Sequence, residues 1–113
     1  MNTHDLTVWK KAKETAEKMQ QFADEMASIG EPKMSSALKQ VSMGMLDALE
    51  ACDANAFEKA WLYAHQSEYW LVLFLFAHRI GFDVGAVLID EIAYVKHLLC
   101  ALVRSRTQEG MQQ

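Results

Sequence analysis

A chain of 113 residues, 51% of them hydrophobic and only one a proline, has the size and composition of a single folded domain with regular structure. Its formal charge of −4 gives no general attraction to a polyanion, which argues against a strongly nucleic-acid-binding surface. Two cysteines, Cys52 and Cys100, are too few and too far apart for a disulfide framework or a zinc site, and read as small hydrophobes in a reducing compartment.

Taken in chain order, the apolar residues keep helical time in four segments. Over residues 4–28, Trp9, Ala12, Ala16, Met19, Ala23 and Met26 recur in steps of three and four. "SIGEPK" then supplies Gly30 as a stop and Pro32 near a new start. Over 32–52 the row is Met34, Leu38, Val41, Met45, Ala48 and Cys52. Asp53 and Asn55 offer N-caps for a third helix over 54–80, with Phe57, Ala60, Ala64, Ser67, Leu71, Phe74 and His78 on its seam. Gly81 is the expected C-cap, and Asp83 caps a fourth helix over 83–106, with Gly85, Leu88, Ile92, Val95, Leu99 and Leu102. Acids near the start of that helix (Asp83, Asp90, Glu91) and bases toward its end (Lys96, Arg104, Arg106) complement its dipole. The polar "TQEGMQQ" is expected to fray. Narrow three-four seams suit near-parallel packing, and the short links favour antiparallel neighbours. The expected fold is all-α: an up-down-up-down antiparallel four-helix bundle spanning residues 1–113 as one domain.

The greasiest stretch, "EYWLVLFLFAHRIGF", sets a further problem. Its uncharged run, Tyr69 to Ala77, falls well short of the ~20 residues that a spanning helix needs. The opening "MNTHDLTVWKKAKE" has no apolar signal core, so a soluble, cytoplasmic protein is expected. Yet the core seam explains only one side of the third helix. Leu62, Tyr69, Leu73, Phe76 and Ile80 form a second row, with Val72 and Trp70 beside it. Leu73 lies two residues from Leu71, hence about 200° around the helix. A helix apolar all round is normally buried all round. Leu62, Tyr69, Val72, Leu73, Phe76 and Ile80 are therefore the expected subunit interface of a homo-oligomer.

Chemistry finds less support. His65 and Glu68 occur once, in the reverse of the Glu-x-x-His order of bundle metal sites, and read as a surface pair. No metal, cofactor or catalytic site is expected. His78 reads as a satisfied histidine near a helix C-terminus, favoured in its charged form by the dipole. Ser67 reads as a small residue that lets helices approach. Lys10, Lys11 and Lys13 form the best basic cluster for nucleic acid, but Lys10–Glu14 and Lys13–Glu17 are spaced to pair along the helix. Methionines such as Met19, Met26, Met34, Met43 and Met45 read as core filling.

The opening "DLTVWKKAKETAEKM" resembles the start of a bacterial four-helix bundle family encoded in intervening sequences of large-subunit ribosomal RNA genes and elsewhere. The matching residues are Asp5, Leu6, Val8, Trp9, Lys11 and Ala12; weaker likeness follows in "SALKQVS", "FEKAWLYAHQS" and "RIGF". The resemblance implies a bundle assembled as a ring of five subunits, with no established enzymatic activity. A related branch serves as an accessory to the reverse transcriptases of diversity-generating retroelements and binds nucleic acid through basic surface. The chain departs from the family's Ser-Ile-Pro-x-Asn-Ile-Ala-Glu-Gly stretch, having "SMGMLDALEAC" with Gly44 at the proline, and has Trp70 near a family glutamate. These departures and the acidic balance put nucleic-acid binding in doubt.

Overall fold

Each apolar period closes into a helix. The computed structural model describes residues 3–51 and 53–112, with side chains described for 6–51 and 53–106. The helices are α1 (Thr3–Ser28), α2 (Pro32–Ala51), α3 (Ala56–Phe76) and α4 (Phe82–Gln112), and no strand occurs among the described residues. α1 packs closely on α2, α2 on α3 and α3 on α4, while the α1–α4 contact is thinner. The result is a rod of 53 × 22 × 19 Å, as expected of long helices lying side by side.

Packing follows the sequence periods. Ala12, Ala16, Met19, Ala23 and Met26 are buried on α1, and Leu38, Val41, Met45 and Ala48 on α2. Phe57, Ala60, Ala64, Ser67, Leu71 and Phe74 are buried on α3, and Leu88, Ile92, Val95 and Leu99 on α4. Trp9, Met34 and Leu102 sit half-buried at the ends of their rows. Cys52 lies outside the described residues. Val8, Thr15, Ser35, Ser42 and Leu49 are also buried, because each helix has two close neighbours and buries a stripe wider than a single seam. Ser67 Oγ donates to Tyr63 O at 2.9 Å, so its hydroxyl is satisfied within its own helix.

The two turns at one end share a single construction. After α1, Gly30 takes φ +88°; its N–H donates to Ala27 O and that of Glu31 to Met26 O. After α3, His78 takes φ +56°; its N–H donates to Leu75 O and that of Arg79 to Phe74 O. Both are Schellman closures, which satisfy carbonyls that the helix end leaves open. Arg79 Nη1 donates to Glu31 Oε1 at 2.7 Å and ties the two turns together.

This geometry corrects several expectations. α3 stops at Phe76 rather than near 80, because the left-handed residue is His78 and not Gly81. His78 is consequently exposed and off the core seam. α4 begins at Phe82, which places Asp83 inside the first turn, and it runs helically past 106 to Gln112. At the start of α3, Asn55 holds the cap position but makes no side-chain cap bond. Asp53 instead accepts from the Asn55 N–H at 3.0 Å and from Lys59 Nζ at 2.9 Å. These two donors hold the Asp53 carboxyl below its ordinary pKa of 3.8, the lysine contributing most.

Left-handed backbone is strained for any residue with a Cβ, by roughly 1–2 kcal/mol. His78→Gly should therefore raise stability by about 0.5–1 kcal/mol, the glycine's extra unfolded-state entropy offsetting part of the relief. Gly30→Ala should lower stability by about 1 kcal/mol. Urea denaturation followed by circular dichroism checks both signs.

Candidate assembly surface

The outer face of α3 combines four large side chains with little cover. Leu62 is 52% exposed, Tyr69 59%, Leu73 43% and Phe76 78%. With Gln66 between them, the row runs 62, 66, 69, 73, 76, in steps of four and three, so it stays on one side of the helix. Its position follows from the seam opposite: Ala60, Ala64, Ser67 and Leu71 face the core, and residues half a turn away must face out.

Two of the six expected interface residues lie elsewhere. Val72 is half-buried on the flank facing α4, one turn beyond Glu68. Ile80 is beyond the helix end and folds inward over Gly85, where an added Cβ would stand 2.8 Å from Ile80 Cδ1. That close approach needs the missing side chain, and it removes Ile80 from the outer row.

Aromatic and polar groups flank the row on both sides. Toward α2, a groove of about 440 Å³ is lined by Gln40, His65, Gln66, Tyr69 and Trp70 among others. Toward α4, Lys96 Nζ donates to His65 Nδ1 at 2.9 Å and to Glu68 Oε1 at 3.0 Å. An ammonium has no lone pair, so His65 Nδ1 is the acceptor. Trp61 stacks on His65 at 5.1 Å between centroids, and Lys96 sits 5.2 Å from the Trp61 centroid. His65 and Glu68 thus pair with Lys96 rather than with each other. Local spacing holds no sign of this hub, because it depends on the register of α4 against α3.

No family model, curated protein or solved structure matches this chain.

The lysine cluster divides. Lys11 Nζ lies 6.0 Å from the Tyr94 ring of α4, whereas Lys13 Nζ lies 5.2 Å from the Trp9 ring. Two residues apart on a helix, Lys11 and Lys13 leave on opposite flanks, about 200° apart. Lys10 is exposed. Neither expected pair, Lys10–Glu14 or Lys13–Glu17, forms; Glu14 approaches Lys18 at 3.9 Å, and Lys18 bonds Glu91 of α4 at 2.7 Å. The bond to Glu91 raises the Lys18 pKa above its ordinary 10.5. Among the described residues, no three His, Cys, Asp or Glu side chains group as metal ligands, and no helix is long and apolar enough to cross a membrane.

Lys96 is the donor that satisfies both His65 and Glu68 at a partly buried position. Lys96→Met keeps most of the stem that covers Trp61 but removes those bonds. It should cost about 1 kcal/mol at neutral pH by urea denaturation, the upper end for an ion pair still partly open to water.

Proposed function

We propose that this chain is a non-enzymatic, homo-oligomeric scaffold or interaction protein of the cytoplasm, whose mechanism is burial of the outer α3 row between subunits. The observation that carries the reading is the size of that row: three of its members are over half exposed, and they are Leu62, Tyr69 and Phe76. Soluble proteins rarely leave a contiguous apolar stripe of this kind open to water. Self-association is its simplest cover, since most soluble oligomers are built from copies of one chain.

Within each subunit the helices run up-down-up-down. Links of a few residues, packing between chain neighbours and the Arg79–Glu31 bond between alternate turns support that connectivity. Arg106 near the end of α4 lies 4.2 Å from the ring of Phe57 at the start of α3, as an antiparallel pair requires. The count of subunits rests on the resemblance of "DLTVWKKAKETAEKM" to the ribosomal intervening-sequence family, whose rings have five.

Light scattering at micromolar concentration should give a molar mass several times that of the 12.8 kDa chain. Leu73→Asp with Phe76→Asp should bring it down to one chain with helicity kept, because both positions are exposed within the subunit. A wild-type mass of one chain would defeat the proposal.

A further inference from the structure

Lys96 of α4 reaches across to α3, where three groups hold it at once. Its Nζ lies 2.9 Å from His65 Nδ1, 3.0 Å from Glu68 Oε1 and 5.2 Å from the centroid of the Trp61 ring. The Lys96 and Glu68 side chains are only 17% and 25% exposed, so salt and water screen them less than an open surface pair. His65 is the exposed member, and its ring lies 5.1 Å from that of Trp61 with the two planes 4° apart. Trp61, His65 and Glu68 follow one another in steps of four and three, so they share one flank of α3.

We propose that this arrangement is a proton-operated clasp: neutral His65 holds Lys96 to α3, and protonated His65 displaces it. In the neutral ring the proton sits on Nε2, and the lone pair at Nδ1 receives the Lys96 ammonium. A second proton, added at Nδ1, removes that lone pair and sets two cations at hydrogen-bond distance, where they repel. The other two contacts of Lys96 then change hands. The His65 ring already lies flat against Trp61, and a cation in that place is drawn to the face of the indole. Glu68 is three residues along, a spacing at which opposite charges pair on a helix. Acid thereby exchanges a tie between α3 and α4 for one inside α3.

Nothing else around His65 titrates in the same window. On α3 its ionisable neighbours are Glu68 and Tyr69; on α4 Lys96 faces it, with Cys100 one turn further along beside Trp61. From α2, the groove that His65 borders receives Ala37, Gln40 and Val41, none of them charged. Of these side-chain types only histidine takes up most of a proton between about pH 7.5 and about pH 5.5. The tie is therefore complete at the upper end of that window and lost as pH falls through it. Leu62 and Tyr69 lie one turn to either side of His65, so the clasp borders the outer α3 row. It works within one chain, whatever covers that row.

Urea denaturation at low ionic strength, at about pH 7.5 and about pH 5.5, tests the clasp. Lys96→Met should lower the urea midpoint at the upper pH, and roughly half of that loss or more should vanish at the lower. In a His65→Asn background the amide oxygen stands near the place of Nδ1 and does not titrate, so Lys96→Met should have the same effect at both. A loss of similar size at both pH values with His65 present overturns the clasp. So does a pH-dependent loss that persists in the His65→Asn background. Should a variant fail to fold, nitrogen NMR of the histidines in the unsubstituted protein decides the matter. His65 should carry its proton on Nε2 at the upper pH, and the Trp61 ring signals should shift together with it on acidification. A proton on Nδ1, or Trp61 signals that stay in place, overturns the clasp.

Discussion

The structure turns on an inversion of size across α3. Between residues 60 and 67 its inner seam is built from Ala60, Ala64 and Ser67, all buried, while its outward row carries Leu62, Tyr69, Leu73 and Phe76. Small inward residues let neighbouring helices approach and pack their own larger side chains, such as Met19, Met45, Ile92 and Val95, into the space. The bulk of α3 is thereby displaced to its flanks and its back. Trp61 and Trp70 cover the two flanks and pack against the core cluster, but no other helix packs over the back among the described residues. An amphipathic surface helix would place polar residues there. This one does not, and the surplus surface follows from the same substitution of small for large that makes the core fit.

The end of the rod with the two Schellman turns concentrates the effect. Ile29 and Phe82, at the α1–α2 and α3–α4 turns, are 71% and 72% exposed, at the end of the rod where α3 finishes with Phe76. Turn tips are ordinarily polar, since their backbone meets water. Here the closures themselves satisfy backbone groups, and the Arg79–Glu31 side-chain bond joins the two turns, which leaves other side chains free to be apolar without stranding polar atoms. That end is closed by hydrogen bonds and apolar at its tips, a combination suited to meeting another surface.

Most of the core was legible because burial on a helix is periodic, and the period survives without knowledge of the neighbours. The seam residues from Ala12 to Leu99 were readable on that ground. His78 was misread because a period extended by four residues cannot see a backbone that turns left-handed; glycine is the usual occupant, and Gly81 stood nearby as the better candidate. Ile80 failed with it, being carried past the helix end and over Gly85. Polar partners were the least legible. Lys96 bonding His65 and Glu68, and Lys18 bonding Glu91, join residues 28 to 73 positions apart, and only the register between helices decides them. Local spacing instead suggested Lys10–Glu14 and Lys13–Glu17, because i,i+4 pairs are the ones a sequence displays.

These polar contacts lie at the edges of the seams, and the bonded groups stay at least partly open to water. Ion pairs so placed contribute little to stability, typically under about 1 kcal/mol each, and that little weakens with salt. What makes this bundle unique among its possible packings is therefore steric: which positions are alanine and which are methionine, leucine or phenylalanine. The outer α3 row belongs to the same code. A surface specified by shape, repeating in threes and fours and ending at hydrogen-bonded turns, is equipped to select a neighbour by fit. The reading of this chain as an assembling protein thus draws on the same residues and the same physics as the reading of its fold.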